Sequence, residues 1–212
     1  LIGGTISYSD YEISLQEGDG LPRTSGINGF DLNIDFTYFV PNGDIKYGFD
    51  IGGFRTELQF YNSLGLKIEQ NNNTTELSGF IVYKHIFNEK FILEPSLRLQ
   101  YYASLPAFSP EPRISLKYNL TENVRLKAAA GLYSQNFIST KSDQDVVNLF
   151  TGFLTAPDGQ LYDINGEPVN NNLQRASQAV IGVEADLLDN LELTVEPYFK
   201  NFGQLININR SK

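Results

Sequence analysis

The chain has 212 residues, 41% of them hydrophobic, and a formal net charge of −9. That length suits one large β domain or one to two ordinary domains, and the acidic balance excludes a nucleic-acid partner, since phosphate binding needs a basic face. No stretch reaches the roughly 18 consecutive apolar residues of a membrane helix, which excludes helical spans but not spans made of strands. Cysteine is absent, so disulfides, thiolate metal sites and cysteine nucleophiles are excluded. Methionine is absent too, and the opening "LIGGTISYSDYEISL" is already strand-like rather than the charged and apolar run of a signal peptide. We expect the sequence to be part of a longer protein.

Alternation of apolar and polar residues predicts nine strands, at about 5–15, 28–39, 44–55, 75–87, 91–102, 112–120, 124–136, 176–187 and 191–205. In the first, Ile6 and Tyr8 share one parity while Tyr11, Ile13 and Leu15 share the other, so a bulge near Ser9–Asp10 is expected. The second, "NGFDLNIDFTYF", puts Phe30, Leu32, Ile34, Phe36 and Tyr38 on one face, and Asp31, Asn33, Asp35 and Thr37 on the other. Pro95 and Pro197 fall inside strands, where a missing ladder donor predicts local breaks. Most of the strands approach the 9–11 residues that a tilted strand needs to cross a bilayer.

The connections alternate in length. "VPNGD" (40–44), "NEK" (88–90), "TEN" (121–123) and "LDN" (188–190) are tight turns. The others read as long loops, at 16–27, 56–74, 103–111 and 137–175, with "NNNTT" (71–75) as a loop tip. Short turns at one end and long loops at the other are the pattern of an up-and-down membrane barrel.

Seven of the strands have a clear phase. Their apolar rows hold 36 positions, none charged, while the intervening rows hold 29, of which 14 are charged. A charge facing lipid costs about 2–4 kcal/mol at mid-membrane for Arg or Lys. The apolar rows are therefore expected to face lipid. The lumen is expected to receive Asp31, Asp35, Arg98, Arg113, Lys117, Arg125, Lys127, Glu192 and Glu196. Tyr38, Phe39, Phe87, Phe91 and Tyr118 lie near the short turns, as an interfacial aromatic girdle would. Nine strands cannot close a single-chain bacterial barrel, which has an even number, so further strands are expected outside this window.

Little in the sequence points to bond chemistry, and no catalytic residue, metal ligand set or cofactor is expected. His85 is the single histidine and sits beside "NEK", where it reads as an interfacial or lumen-facing polar residue. The glycines of "GTISY" and "DIGGF" lie within strand alternation and form no phosphate loop. "APDGQLYDINGEP" reads as a surface hairpin, and its "DING" lacks the rest of a calcium loop. Loop residues that could grip a ligand are Phe60, Tyr61, Tyr102, Phe137, Asp143, Asp145, Phe150, Phe153 and Tyr162.

The stretch "EPRISLKYNLTENVRLKAAAGLYSQNF" (111–137) resembles a barrel hairpin of TonB-dependent outer-membrane receptors, particularly of the Bacteroidota type. "QRASQAVIGVEADLLDNLELTVEPYFKNFGQL" (174–205) is similar to a following hairpin, and "LPRTSGINGFDL" (21–32) to the way such chains pass from loop to strand. The resemblance implies that residues 1–212 are about nine strands of a 22-stranded transmembrane β-barrel in the outer membrane of a Gram-negative bacterium. It also implies an N-terminal plug elsewhere in the full-length chain, an inner-membrane energy-coupling complex and a surface lipoprotein partner. The implied function is import of a scarce ligand by loop capture and passage through a plugged lumen. The alternatives are a surface-binding or adhesion protein anchored by its barrel, and a soluble all-β binding domain.

Overall fold

A computed structural model describes residues 1–16, 18–61, 65–88, 90–139, 152–157, 159–188 and 190–206. Among them every regular element is a strand. The strands are β1 (Ile2–Leu15), β2 (Arg23–Val40), β3 (Gly43–Tyr61), β4 (Lys67–Phe87), β5 (Phe91–Tyr102) and β6 (Ala107–Asn119). They continue with β7 (Val124–Gln135), β8 (Phe137–Ser139), β9 (Phe153–Thr155), β10 (Gln174–Leu188), β11 (Leu191–Val195) and β12 (Tyr198–Gln204). One antiparallel up-and-down sheet runs β1 to β7 and then β10, with β11 and β12 both on the far side of β10. The strands β8 and β9 pair only with each other, as a separate short ladder.

All nine expected strands are present. β11 and β12 are two halves of one of them, divided at Glu196–Pro197, and they keep a common register against β10, from Glu184↔Thr194 to Val180↔Tyr198. Pro197 breaks its strand as a residue without an N–H should. Pro95 acts more mildly. Against β6 it stays in register with Ile114, while against β4 the ladder skips from Val82↔Ser96 to His85↔Leu93.

Three sequence expectations are corrected. The strands run on beyond their apolar stretches into the expected loops at 16–27, 56–74 and 103–111: β2 already begins at Arg23, β3 ends only at Tyr61, β4 begins at Lys67 and β6 at Ala107. "NNNTT" is no loop tip but part of β4, where Asn71 pairs with Glu57 and Thr75 with Gly53. Backbone pairing continues where side-chain alternation stops, since the ladder does not depend on hydrophobicity. The third correction concerns β1. Its register against β2 runs unbroken from Ile2↔Phe36 to Leu15↔Arg23, so there is no bulge at Ser9–Asp10. Tyr11 and Ile13 therefore lie on the opposite face from Ile6 and Tyr8.

The short connections match expectation. Pro41 and Asn42 form a two-residue hairpin loop closed by the Val40↔Gly43 pair. Asn88 adopts φ of 50°, a left-handed conformation that asparagine tolerates. At 121–124 the Thr121 hydroxyl accepts from the Val124 N–H at 3.0 Å.

Register assigns every strand residue to a face. One face is apolar. Across residues 2–8, 30–38, 45–53, 75–87, 91–101, 108–120, 124–132, 179–187 and 191–199 its alternate positions hold no Asp, Glu, Lys or Arg. Charges return to this face only nearer the longer connections, as Asp10, Glu12, Arg55, Glu57, Lys67, Glu69 and Arg175. Near the short turns it carries an aromatic cluster. The ring of Phe87 lies 4.1 Å from His85 and 5.6 Å from Phe91, and Phe91 pairs with Tyr118. Tyr38 shares this face, whereas Phe39 falls on the other.

The other face carries the charges and, toward the longer connections, a small apolar seat. There the β8–β9 ladder lies against β2, β3 and β4. Ile138, Leu154 and Ala156 pack with Leu58, supported by Phe60 and Leu105. Phe153 stacks on Phe137 at 5.4 Å and meets Tyr11 edge-on at 5.6 Å, and its N–H donates to the buried Ser25 hydroxyl at 3.1 Å. The parity switch in β1 thus has a cause: Tyr11 faces this seat.

Edge-on aromatic pairs contribute about 0.5–1.5 kcal/mol beyond their area. A double-mutant cycle of Tyr11→Ala and Phe153→Ala, read by chemical unfolding of the full-length protein, should give a coupling in that range. Additive single losses would show that the two rings stabilise independently.

Candidate polar-face cavity

The polar face is organised by cross-strand charge pairing. Near the short turns Arg125 on β7 makes two bonds to Asp186 on β10, at 2.7 and 2.6 Å, and a further bond to Glu184. Lys127 shares Glu184, and Glu192 on β11 lies 3.8 Å from Arg125. In the middle, Asp50 accepts from Ser78 at 2.7 Å and from Asn33, and lies 3.4 Å from Arg98. Asp35 pairs with Lys46 at 3.3 Å.

Nearer the longer connections two strands part. The β6–β7 ladder spans Arg113–Asn119 and Arg125–Gly131 and then stops, although β7 stays paired with β10 as far as Gln135. Side chains replace the missing ladder. Glu111, 4% exposed, accepts from the Ser134 N–H at 2.8 Å and its hydroxyl at 2.7 Å, and from Arg113 at 2.6 Å. Tyr102, 2% exposed, places its hydroxyl 3.0 Å from that of Ser134. The Arg113 guanidinium lies 4.6 Å over the Tyr133 ring. Gly131 leaves room for its stem, since a Cβ there would sit 2.8 Å from Arg113 Cγ.

The parting opens a cavity of about 440 Å³. Glu76, Arg98, Gln100, Glu111 and Arg113 supply its polar wall, and Ile27, Phe54 and Phe137 its apolar one. Gln100 links the two sides, donating to Glu76 and accepting from Arg98, each at 3.0 Å. A second cavity of about 280 Å³ adjoins it, sharing Ile27, Phe54 and Glu76, and is lined further by Ser7, Ser9 and Asp31.

All nine residues expected on the charged face carry the parity of that face: Asp31, Asp35, Arg98, Arg113, Lys117, Arg125, Lys127, Glu192 and Glu196. Lys117 lies directly opposite Lys127. Of the expected loop contacts, Tyr102 and Phe137 line the larger cavity. Phe153 stacks behind Phe137. Phe60 and Tyr61 end β3 rather than occupying a loop. Tyr162 is exposed, away from the cavities, in a hairpin closed by its bridge to Pro168. Asp143, Asp145 and Phe150 lie outside the described residues. Phe54, Glu76, Glu111 and Ser134 were not singled out from sequence. Ser134 and Glu111 had no signal there, because the role of each comes from where two strands separate.

The remaining motifs resolve into local structure. His85 lies on the apolar face, with its Nδ1 2.8 Å from the Tyr83 hydroxyl. In "DING" the Asp163 carboxylate accepts from the N–H groups of Asn165 and Glu167, each at 2.8 Å. Gly166 supplies the left-handed φ of 84° that the turn requires.

Two solved structures share this fold. A mutant of the ferric enterobactin receptor PfeA from Pseudomonas aeruginosa superposes with a TM-score of 0.59 at 13% identity, over 94% of this chain and 32% of that one. The RagAB peptide transporter gives 0.51 at 12% identity, over 94% of this chain and 27% of that one. The chain thus spans about a third or less of the length of these proteins, and the likeness is one of fold. No family model and no curated protein matches the sequence.

Removing one partner of a buried ion pair costs about 3–5 kcal/mol, whereas exposed pairs contribute about 0–1 kcal/mol. Glu111→Ala should therefore destabilise the folded protein severely in chemical unfolding, and Glu57→Ala, whose partner Arg55 is exposed, hardly at all. Equal losses would contradict the assignment of Glu111 as the replacement for the ladder. A second test concerns Asp163, whose backbone hydrogen bonds, led by that from Glu167, hold its pKa below the ordinary 3.8. A depressed carboxylate pKa stabilises the turn above the unfolded value, and that contribution is lost as pH falls through the folded one. The Glu167 amide resonance should titrate with a midpoint below 3.8; a midpoint at or above that value would show the bonds are not made in solution.

Proposed function

We propose that this chain is a section of the barrel wall of an outer-membrane receptor that imports a scarce ligand. The observation that carries the reading is the apolar face. It runs without a charge across every paired strand of the sheet and ends, on the loop side, at a boundary where charges resume. A soluble sheet buries such a face against a second layer, and the described residues supply none. The aromatic cluster near the short turns suits a membrane interface. The fold is that of known outer-membrane receptors and transporters.

In this reading the apolar face meets lipid and the charged face lines the lumen. Strands from the rest of the full-length chain complete a 22-stranded barrel, since lipid tolerates no open sheet edge. A plug elsewhere in the chain fills the lumen. An inner-membrane complex supplies energy, and a surface lipoprotein helps deliver the ligand. The cavities beside the β8–β9 ladder lie toward the outer mouth, where a ligand would be held before the plug rearranges. No covalent chemistry is involved.

The full-length protein, extracted from outer membranes in detergent, should show an intact mass several times that of this chain and heat-dependent gel migration. Within it, Ile114→Arg on the apolar face should lower folding into lipid vesicles by about 2–4 kcal/mol. Ser115→Arg, one residue along on the charged face, should be tolerated. The reverse order would sink the membrane reading. A full-length chain with room for the missing strands but none for a plug would favour a surface-binding protein anchored by its barrel.

A further inference from the structure

Building on the receptor reading, we propose that the two adjoining cavities form one subsite for a short amphoteric ligand, an oligopeptide with free ends. Its ammonium end would lie between Asp31 and Glu76, its carboxylate on Arg113, and its side chains against Phe54 and Phe137.

The charges on the cavity walls are sorted. Asp31 and Glu76 occupy one row of the sheet, each paired in register with Gly52 between them. Because Gly52 has no side chain, the row has a notch with a carboxylate on either side. Neither carboxylate forms an ion pair among the described residues. Ser7, directly opposite Asp31, adds a hydroxyl to the same cavity. Asp31, and Glu76 with only the neutral Gln100 amide on it, make with the Ser7 hydroxyl a notch that suits a protonated amine, which has three donors to place.

The far wall suits the opposite charge. Glu111 is fully engaged by Ser134 and Arg113, so it fixes the guanidinium rather than offering itself to a ligand. Only one contact to Glu111 is drawn from the five donors of Arg113, and its Nε is buried with no acceptor. An orphaned buried donor is costly, and a small turn of the head toward a second carboxylate would relieve it. Arg98 is already committed to Asp50 and Gln100. Between the two ends the shared wall of Ile27 and Phe54, continued by Phe137, is apolar. The volumes of the cavities lie within or near the range of about 300–1,000 Å³ typical of small-molecule sites. A simple polyamine would leave Arg113 unanswered, and a dicarboxylate would meet Asp31 and Glu76 with like charge.

The test is titration calorimetry of the detergent-solubilised full-length protein with the tripeptide Ala-Phe-Ala, its N-acetyl form and its C-terminal amide. The free-ended peptide should bind, and each blocked form should bind at least about tenfold more weakly. Glu76→Gln should reduce the penalty for acetylation but not that for amidation, and Arg113→Gln, which removes the cation, the reverse. Equal binding of all three peptides would overturn the proposal, as would preference for spermidine or succinate over the free-ended peptide. Binding of none of them by a chain that fractionates with the outer membrane and migrates as a closed barrel would overturn this inference and leave the receptor reading standing. A chain that does not fractionate with the outer membrane would remove both.

Discussion

The structure depends on one constraint, an antiparallel ladder that keeps one phase from β1 through β10 and across the division of the last strand. Side chains on a strand alternate with a period of two, so a slip of one residue would move every apolar side chain to the charged face. The ladder keeps the faces separate through the apolar band, including at Pro95, where local pairing lapses without a shift of phase, and its register shifts lie at the two ends of β10, between Arg175 and Ala176 and between Asp186 and Leu188. It also holds at the division of the last strand, where β11 and β12 share one register against β10. Continuity of register, rather than any core, makes the molecule legible. Buried side chains are few, and the two small apolar clusters lie near the longer connections.

Alternation in the sequence was enough to locate all nine strands and their faces, because inside the apolar band each strand looks different on its two sides. It failed outside the band. Residues 56–61 and 67–74 pair as faithfully as those nearer the short turns, yet their side chains are polar on much of both faces and leave no period to read. The expected bulge in β1 was a misreading of the same kind. Tyr11 and Ile13 change parity because the surroundings change, with an apolar seat replacing a charged wall on that face, while the backbone runs straight on.

The cavity was less legible than the fold. Arg98 and Arg113 stood out as charges within strands, and Tyr102 and Phe137 as aromatics near loops. The event that brings them together, the parting of β6 from β7 beyond Gly131, has no mark in the sequence. Glu111 shows why. In sequence it is the last residue of an expected loop, before a proline, but in the sheet its carboxylate takes the place of a strand partner for Ser134.

The charged face and the apolar seat above it divide one surface between two tasks. Lower down, ion pairs such as Arg125 with Asp186 and Asp35 with Lys46 tie neighbouring strands together. Partly exposed pairs of this kind contribute little net stability, so their value lies in keeping that surface polar while fixing side-chain positions. Higher up, the same parity becomes Tyr11, Phe54, Leu58 and Phe60, and the β8–β9 ladder can pack there only because charges have given way to these residues. Phe137 belongs to both regions, stacking on Phe153 in the seat and lining the cavity beside it. A group held in the cavity would therefore touch Phe137, the residue from which the β8–β9 ladder begins.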